Sequence, residues 1–326
     1  MPNEPESPIP TSITTETILR ARERVAPYVH WTPLFTSETL NGLTGTRLYL
    51  KAENFQKTGA FKARGAVNAV AQLSPEQRMA GVVTFSAGNH GQGLAYAARE
   101  FGVACTVFMT ENAVPTKVAA IQGYGATTRQ FPTIQEAIAE MTRARDQTGA
   151  VFVSPFADEA VIAGQASVGL ELLEQVEDLE QVVVPIGGGG LICGLALAFR
   201  DLRPDIRIVG VEPEGAPTMT RALAAGHLVT LDSVDTFADG LTAPFTSELN
   251  LAIVRELVAD VVLVTDDEIA TALKLVLDRT KVLIEGAAAA GIAALLTGKA
   301  GVQKGAVTAA VLTGGNIDLG RLKALL

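Results

Sequence analysis

Short apolar runs alternate with longer amphipathic segments along most of the chain. The short runs predict strands at residues 47–50, 81–85, 104–108, 151–153, 182–186, 206–211, 261–264 and 306–312. The intervening segments predict helices, among them residues 14–25, 92–101, 116–123, 134–148, 162–175 and 266–280. This alternation is typical of an α/β protein with largely parallel sheets.

The pattern contains neither an internal repeat nor a low-complexity linker, so domain boundaries rest on the order of the elements. Residues 82–153 hold a compact strand–helix–strand–helix set, which predicts a small, mobile domain with its own sheet. Residues 1–81 and 154–326 are then expected to form one larger, discontinuous domain. Residues 1 to about 13 are polar and proline-rich and are expected to form a mobile N-terminal segment.

A glycine run is the first candidate for chemistry. Gly187, Gly188, Gly189 and Gly190 follow the predicted strand at 182–186 and precede a helix expected to begin near Leu191. Backbone N–H groups in such a loop can face one anion without obstruction by a Cβ atom, and the helix dipole adds to the attraction. The loop lacks the Lys-Ser/Thr of a nucleotide P-loop and does not complete G-x-G-x-x-G. It predicts a phosphate smaller than a nucleotide, with a simple tight turn as the alternative.

Lys62 lies between small residues upstream of this loop, in the stretch TGAFKARG. A lysine in such a setting is commonly a solvated charge. Combined with a phosphate-binding loop, its amine suggests a covalently held, phosphorylated cofactor.

Composition and charge restrict the partners. The 326 residues are 48% hydrophobic and 19% charged, as in an ordinary globular protein, and the net charge of −9 disfavours a nucleic-acid partner. Cys105 and Cys193 form no C-x-x-C pair, which indicates a reducing compartment such as the cytoplasm. The apolar stretch 282–296 is interrupted by Glu285 and is too short for a membrane span, and the first twenty residues lack the features of a secretory signal. A cytoplasmic protein without a membrane partner is expected.

Four motifs, taken together, resemble the fold-type II enzymes that use pyridoxal 5′-phosphate (PLP), in particular the branch of serine/threonine dehydratases and serine racemases. The motifs are KAENFQKTGAFKARG at 51–65, SAGNHGQ at 86–92, PIGGGGL at 185–191 and LTGGN at 312–316. Their order and spacing are specific, and the resemblance covers residues 20 to 320. It implies two open twisted sheets flanked by helices, as in the tryptophan synthase β fold, with the larger domain binding PLP. It also implies an amino-acid substrate and a homodimer.

The resemblance assigns roles to particular residues. Lys62 is the Schiff-base lysine, and its amine removes the Cα proton of the substrate. Phe61 packs on one face of the pyridine ring, with a plain core aromatic as the alternative. Asn89 hydrogen-bonds the 3′ oxygen of the cofactor. The four glycines and Leu191 hold the phosphate.

The loop around Asn89 is the candidate substrate site. Ser86, Ala87 and His90 lie where free N–H groups of a strand-to-helix loop suit a carboxylate. The alternatives are a helix N-cap for Ser86 and a packed or surface imidazole for His90. Similar racemases carry a serine in place of Ala87, where it acts as a second acid/base. Because alanine cannot transfer a proton, racemisation is expected to be weak or absent.

Thr313 occupies the position that the resemblance assigns to the partner of the pyridine nitrogen. A neutral hydroxyl gives that nitrogen no reason to hold a proton, so the cofactor becomes a weaker electron sink. A short-lived carbanion favours prompt loss of a β leaving group. The alternative is an ordinary threonine in the turn before Gly314.

Two further positions depart from the relatives. Glu212 and Ala216 match positions at which some relatives bind a cation, but Thr218 replaces the acidic third ligand; Mg²⁺ or a monovalent cation would suit such oxygens. The alternative is that Glu212 is a solvated strand end. Gly286 follows Glu285 where many relatives have proline, which is expected to reshape the wall near the cofactor.

The function expected from these features is β-elimination from a β-hydroxy-L-amino acid, giving a 2-oxo acid and ammonia. L-Threonine and L-serine are the default substrates. Leu241 and Phe245 would accommodate a bulkier one such as phenylserine, and residues 212–226 resemble dehydratases attributed to hydroxyectoine breakdown. The alternatives are PLP-dependent β-replacement and a non-catalytic amino-acid sensor. Retention of Lys62 with the whole glycine loop argues against the sensor.

Overall fold

Two separate sheets organise the computed structural model, which describes residue 9 and residues 11–326. The ten strands in this part of the chain are β1 (Leu34–Phe35), β2 (Arg47–Lys51), β3 (Val82–Phe85), β4 (Cys105–Thr110), β5 (Thr127–Phe131), β6 (Val151–Phe152), β7 (Gln181–Pro185), β8 (Arg207–Pro213), β9 (Asp260–Val264) and β10 (Val307–Val311). The larger sheet has the order β1-β2-β10-β7-β8-β9, and the smaller has the order β5-β4-β3-β6. All neighbours pair in parallel except β1 and β2.

Helices flank both sheets. They are α1 (Thr15–Val25), α2 (Glu38–Thr44), α3 (Lys62–Ala71), α4 (Pro75–Ala80), α5 (Asn89–Glu100), α6 (Pro115–Gly123), α7 (Ile134–Thr148), α8 (Glu159–Gln165), α9 (Ser167–Gln175), α10 (Gly190–Leu202), α11 (Thr218–Ala225), α12 (Glu248–Leu257), α13 (Asp266–Thr280), α14 (Gly286–Leu296) and α15 (Leu319–Leu325). Short 3₁₀ turns occur at Glu53–Phe55, Lys57–Gly59 and Asp239–Leu241. The expected α/β class is confirmed.

Four elements, β1, β5, α8 and α9, differ from the sequence-based expectations. Strand β5 was not predicted, because its residues TTRQF form a largely exposed edge strand without an apolar run. Strand β1 has only two residues and gives no periodic signal. The single helix expected at 162–175 is two helices, α8 and α9, and at their junction the Ser167 hydroxyl donates to the Gly164 carbonyl (2.7 Å). Such a local bond competes with continuous helical pairing.

Apolar side chains pack on both faces of the larger sheet. One cluster joins its strands to α9, α10 and α12, and another joins them to α13 and α14. A third lies between α3, α5 and the smaller sheet. The apolar stretch noted in the sequence is mainly α14, whose residues are buried except for Leu296. No helix in the described part of the chain has the length and apolar character to cross a bilayer.

The strands of the smaller sheet all fall within residues 82–153, and those of the larger sheet fall on either side. We retain as a proposal the division into a small domain at 82–153 and a discontinuous larger domain. The expected mobile N-terminal segment lies mostly outside the described residues. Its described end packs on the protein, with Ile13 in the core and Thr11 and Ser12 donating to the Glu159 carboxylate.

Candidate active site

The candidate residues converge at the carboxyl ends of strands from both sheets. In the larger sheet, β2, β10 and β7 are neighbours, and they lead to Lys62, Thr313 and the glycine loop respectively. In the smaller sheet, β3 leads to the Ser86–Asn89 loop and β6 leads to Pro155. Parallel α/β sheets form their ligand crevices at this edge.

Lys62 is the first residue of α3, and its side chain is held by the segment that follows β6 of the smaller sheet. The chain reaches it through a sharp turn in which Thr58 and Gly59 both have positive φ (63° and 72°). The Lys62 amine is partly buried and donates to the Pro155 carbonyl (Nζ–O 2.7 Å). Burial lowers its pKa to about 8, although the Glu285 carboxylate acts in the opposite direction. The amine is therefore substantially neutral, and nucleophilic, at mildly alkaline pH.

The glycine loop is too crowded for side chains. A Cβ atom on Gly188 would lie 2.2 Å from the Phe156 ring, and one on Gly187 would lie 2.9 Å from the Gly240 carbonyl oxygen. Gly189 has a φ of 99°, which favours glycine. Helix α10 begins at Gly190 without a side-chain cap, so its first N–H groups and dipole are available to an anion. The buried Leu191 follows as the second residue of this helix.

Asn89, the first residue of α5, has its amide fixed by two partners. Its Oδ1 accepts from Asn316 Nδ2 (2.8 Å), and its Nδ2 donates to Glu285 Oε1 (2.7 Å). Asn316 Nδ2 also donates to the Thr58 carbonyl (2.7 Å). The Thr58 carbonyl can only accept, so Asn316 presents Nδ2 to it and Asn89 presents Oδ1 to that Nδ2. The Asn89 nitrogen therefore faces Glu285, and its second hydrogen remains for a ligand.

Glu285 is a site residue to which sequence reasoning gave no role. Its carboxyl group is buried, and burial raises its pKa, while the charge of Lys117 acts in the opposite direction. A lone carboxylate within the apolar stretch 282–296 was the available signal, because a buried charge requires partners. Packing explains why the adjacent residue, Gly286, is a glycine, since a Cβ there would lie 2.6 Å from the Phe237 ring.

Thr313 and Phe61 lie side by side. The Phe61 N–H donates to the Thr313 carbonyl (3.1 Å), next to a bridge between Ala60 and Gly314. The Thr313 hydroxyl is buried and has no partner within the described structure. The Phe61 ring is also buried, and the Lys62 amine lies 5.0 Å from its centroid. A buried, unpartnered hydroxyl requires a hydrogen-bonding group opposite it.

The contacts of Ser86, Ala87 and His90 in the candidate substrate loop decide between their expected and alternative roles. Ser86 is not the N-cap of α5, because that position is Gly88; the Ser86 hydroxyl instead accepts from the Gly88 N–H (3.2 Å). Ala87 is partly buried against the core of the smaller unit. His90 is a buried imidazole whose Nε2 meets the Val153 carbonyl (3.0 Å), so Nε2 carries the hydrogen. Burial, followed by the charge of Lys62, lowers the His90 pKa to about 3, which keeps the ring neutral.

Glu212 is not a solvated strand end. It is fully buried at the end of β8 and accepts from the Met219 N–H (2.7 Å) and from the N–H (2.9 Å) and hydroxyl (2.7 Å) of Thr220 at the start of α11. Ala216 is buried nearby, and its carbonyl accepts from the Thr218 N–H (3.0 Å). Within residues 9 and 11–326 no three His, Cys, Asp or Glu side chains group as metal ligands. Protein donors therefore satisfy the oxygens of the Glu212 carboxylate.

An ion pair joins the two sheet units beside the site. Lys117 of α6 donates to Asp239 (Nζ–Oδ2 2.8 Å), and Arg321 of α15 contacts the other oxygen of the same carboxylate (2.5 Å). The cleft beside this group is lined by Glu285, Gly240 and Asn316, among others. The smaller and larger sheet units therefore meet beside the site.

These residues fit a bound PLP. The glycine loop offers N–H groups to a phosphate, Lys62 offers an amine to an aldehyde, and Asn89 offers a free N–H to the phenolic oxygen. The unpartnered hydroxyl of Thr313 offers a neutral partner for the ring nitrogen.

Comparison with known proteins identifies the family. The family described as "pyridoxal-phosphate dependent enzyme" matches residues 25–314. An L-threonine ammonia-lyase of Thermotoga maritima is 42% identical over 315 residues, which are 96% of this chain and 78% of that protein. A serine racemase of Dictyostelium discoideum is 40% identical over 322 residues, 97% of this chain and 98% of that protein. The structure of maize serine racemase superposes with a TM-score of 0.93 at 39% identity and covers 96% of this chain and 97% of its own.

The matches extend over nearly the whole chain and over both sheets, and they confirm the resemblance that the four motifs indicated. The chain belongs to the family of pyridoxal-phosphate dependent enzymes, in the branch that holds the threonine ammonia-lyases and serine racemases.

Proposed function

We propose that this protein is a PLP-dependent ammonia-lyase that dehydrates a β-hydroxy-L-amino acid to a 2-oxo acid and ammonia. The observation that carries the proposal is a one-sided set of proton-transfer groups. Lys62 supplies an amine with a pKa near 8, whereas the loop that carries the acid/base serine of similar racemases has Ala87. Without a second acid/base, a Cα proton cannot be returned to the opposite face.

Lys62 takes two roles in this proposal. It holds the cofactor through Nζ, and its amine, set free when the substrate amine takes its place, removes the Cα proton. Bound PLP supplies an electron sink for the charge that this removal leaves on Cα. Departure of the β-hydroxyl with one proton as water, followed by return of the Lys62 Nζ to its bond with the cofactor, would release an enamine. Hydrolysis of the enamine would consume one water and yield the 2-oxo acid and ammonia.

The other residues orient and tune the reactants. Asn89 would donate its free N–H to the phenolic oxygen, Phe61 would pack on the ring, and the loop from Gly187 to Leu191 would bind the phosphate. Thr313 would offer a neutral hydroxyl to the ring nitrogen, which would keep the sink weak and favour loss of the β-hydroxyl over reprotonation.

The substrate site is proposed at the loop before α5. The Ser86 N–H donates to the Phe108 carbonyl (3.0 Å), so Ser86 would offer its hydroxyl and Ala87 its N–H to the substrate carboxylate. His90, neutral and buried behind them, would support the loop. L-Threonine and L-serine are the proposed substrates. Phe245 stands edge-on to Phe156 (5.7 Å between ring centroids) and is partly exposed, which keeps an aromatic β-substituent such as that of phenylserine within the proposal.

The test is release of 2-oxo acid and ammonia from purified, PLP-loaded protein. The panel is L-threonine, L-serine, L-threo-phenylserine and a hydroxyectoine-derived amino acid, with Lys62→Ala as the control. Release from one substrate by the wild type and none by the variant would support the proposal and name the substrate class. No release from any, with lysine-bound PLP visible by absorbance, would overturn it in favour of β-replacement. A wild type that never attaches PLP would favour an amino-acid sensor.

We further propose a cytoplasmic homodimer. Both cysteines are buried and unpaired, which suits a reducing compartment. Trp31 and Phe55 are about half exposed near the 3₁₀ turn at Glu53–Phe55, and large exposed aromatic side chains are typical of interfaces. Sedimentation velocity would show a species of twice the 34.1 kDa chain mass, and a monomer would contradict this proposal.

A further inference from the structure

Asn250, which no motif singles out, contacts both the glycine loop and the segment that packs against it. It lies in the first turn of α12, where the Ser247 N-cap hydroxyl accepts from its N–H (3.2 Å). The side chain is fully buried, and Nδ2 donates to the Gly188 carbonyl (2.7 Å) and to the Phe156 carbonyl (3.0 Å). One amide group thus ties the loop to the segment that packs against it.

The Gly188 carbonyl receives a second donor. The Thr246 hydroxyl, also buried, donates to it (3.0 Å). Two donors outside the loop therefore bind this carbonyl and turn it away from the loop interior. A peptide unit that directs its oxygen outward directs the following N–H inward, which is the orientation an anion requires.

The chemistry of the contact requires an amide. Both partners of Nδ2 are carbonyl oxygens, which only accept, so both amide hydrogens are used. The Asn250 Oδ1 is buried without a partner in the described structure, so donors alone hold this side chain. The nearby Gly189 reinforces the contact, since a Cβ there would lie 3.3 Å from the Asn250 Cβ.

We propose that Asn250, assisted by Thr246, is a positioning residue for the phosphate cradle: it holds Gly188 and Phe156 so that the loop N–H groups converge on the cofactor phosphate. The inference rests on the proposed role of Lys62 and the glycine loop. It adds Asn250 to the residues on which phosphate recognition depends, although Asn250 lies on a different helix, 60 positions beyond the loop.

The experiment compares PLP with pyridoxal, which has the same aldehyde and lacks the phosphate. Apo-protein is titrated with each compound, and attachment to Lys62 is followed by absorbance. In Asn250→Asp, a carboxylate replaces the donor and faces two carbonyl oxygens. We expect its affinity for PLP to fall at least about tenfold while its affinity for pyridoxal changes less than about twofold. A loss of packing alone would lower both affinities together.

Thr246→Val provides a second variant in case Asn250→Asp does not fold. It removes only the hydroxyl that contacts Gly188, and a fall of about threefold in PLP affinity, again without loss of pyridoxal affinity, is expected. The matched control is Thr280→Val, whose hydroxyl also donates to a backbone carbonyl, that of Val276 in α13 (2.7 Å). This control should leave both affinities unchanged.

The outcomes separate the two proposals. If the wild type attaches PLP at Lys62 but the preference for PLP over pyridoxal is the same in wild type and both variants, the role of Asn250 is wrong and the proposed function stands. If the wild type attaches neither compound, the proposed function fails and this inference fails with it.

Discussion

Two opposing effects set the reactivity of Lys62. Burial disfavours the charged amine and lowers its pKa to about 8, whereas the Glu285 carboxylate favours the charge and raises it. Below that pH the amine is protonated and cannot attack an aldehyde, and above it the neutral nucleophile dominates.

The first prediction follows from this balance. The rate at which apo-protein attaches PLP should rise with pH with a midpoint near 8, well below the ordinary lysine value of 10.5. Glu285→Gln removes the raising effect and should move the midpoint to lower pH. Stopped-flow absorbance measures both, with Lys62→Ala as the blank. A midpoint near 10.5 in the wild type would contradict the buried environment of the amine.

A second prediction concerns Ala87. Ala87→Ser adds the hydroxyl that similar racemases carry in this loop, so the variant should form D-serine from L-serine while elimination continues. Chiral chromatography of the reaction mixture detects the product, with the wild type expected to form little or none. Gly88→Ser, one residue further on, is the control for merely adding a hydroxyl to the loop. Equal D-serine from wild type and Ala87→Ser would show that Ala87 does not limit racemisation.

At this scale the sequence predicted the candidate site residues but not their partners in the fold. Lys62, Asn89 and the glycines stand within contiguous motifs, and the resemblance of those motifs to fold-type II PLP enzymes marks them. Glu285, Asn316 and Asn250 act through contacts with residues at least 62 positions away, and the local sequence around each does not indicate which residue is its partner. The alternative roles given for Ser86 and Glu212 were wrong for the same reason, because an N-cap and a solvated strand end are local interpretations.

At the scale of elements, close helix contacts hold Lys62 in place. Helix α8 crosses α3 so closely that a Cβ on Gly164 would lie 2.7 Å from the Arg64 carbonyl oxygen and 2.7 Å from the Gly65 Cα. Both of these are backbone atoms of the helix that begins with Lys62, so neither can yield without moving it.

Gly164→Ala is therefore expected to lower the free energy of unfolding by about 1–3 kcal/mol through overpacking. Gly42→Ala is the matched control, because Gly42 lies within α2 and a Cβ atom added there would meet nothing within 4 Å, so this change should stabilise by about 0.5–1 kcal/mol. Urea denaturation of the apo-proteins measures both. Equal stabilities of Gly164→Ala and wild type would show that α8 and α3 can separate without cost.

Helices were predicted correctly where the amphipathic segment was long, and strands were predicted correctly where the apolar run was buried. The buried runs became β7, β8 and β10, and the expected helices at 134–148 and 266–280 became α7 and α13 with the same bounds. Strand β5 was missed because an edge strand exposes most of its side chains and needs no apolar run.

At the scale of the whole molecule, the contact between Lys117 and Asp239 links the two sheet units. Lys117 belongs to α6 beside the smaller sheet, and Asp239 belongs to a turn beside the larger one. Partly exposed ion pairs contribute up to about 1 kcal/mol, so the link can stabilise a closed arrangement without locking it.

Lys117→Met should therefore loosen the contact while the fold remains. Amide exchange in residues 115–123 is expected to rise by up to about fivefold, and the KM for the amino acid should increase more than kcat falls. Hydrogen exchange with mass spectrometry checks the first, and steady-state kinetics the second. Arg143→Met, which removes an ion pair confined to α7, is the control and should change neither. Unchanged exchange in α6 would argue against the proposed small mobile domain.

The walls of the site come from segments around residues 60, 89, 155, 188, 285 and 313, which lie outside the strands and are distributed between the two sheet units. Parallel strands pair only after long connections close, so these segments meet late in folding. A partly folded chain has Lys62 exposed as an ordinary surface amine and offers no aligned glycine loop. Attachment of PLP with a pH midpoint near 8 should therefore report that the fold is complete. During refolding, this attachment should lag behind the formation of helical structure seen by circular dichroism.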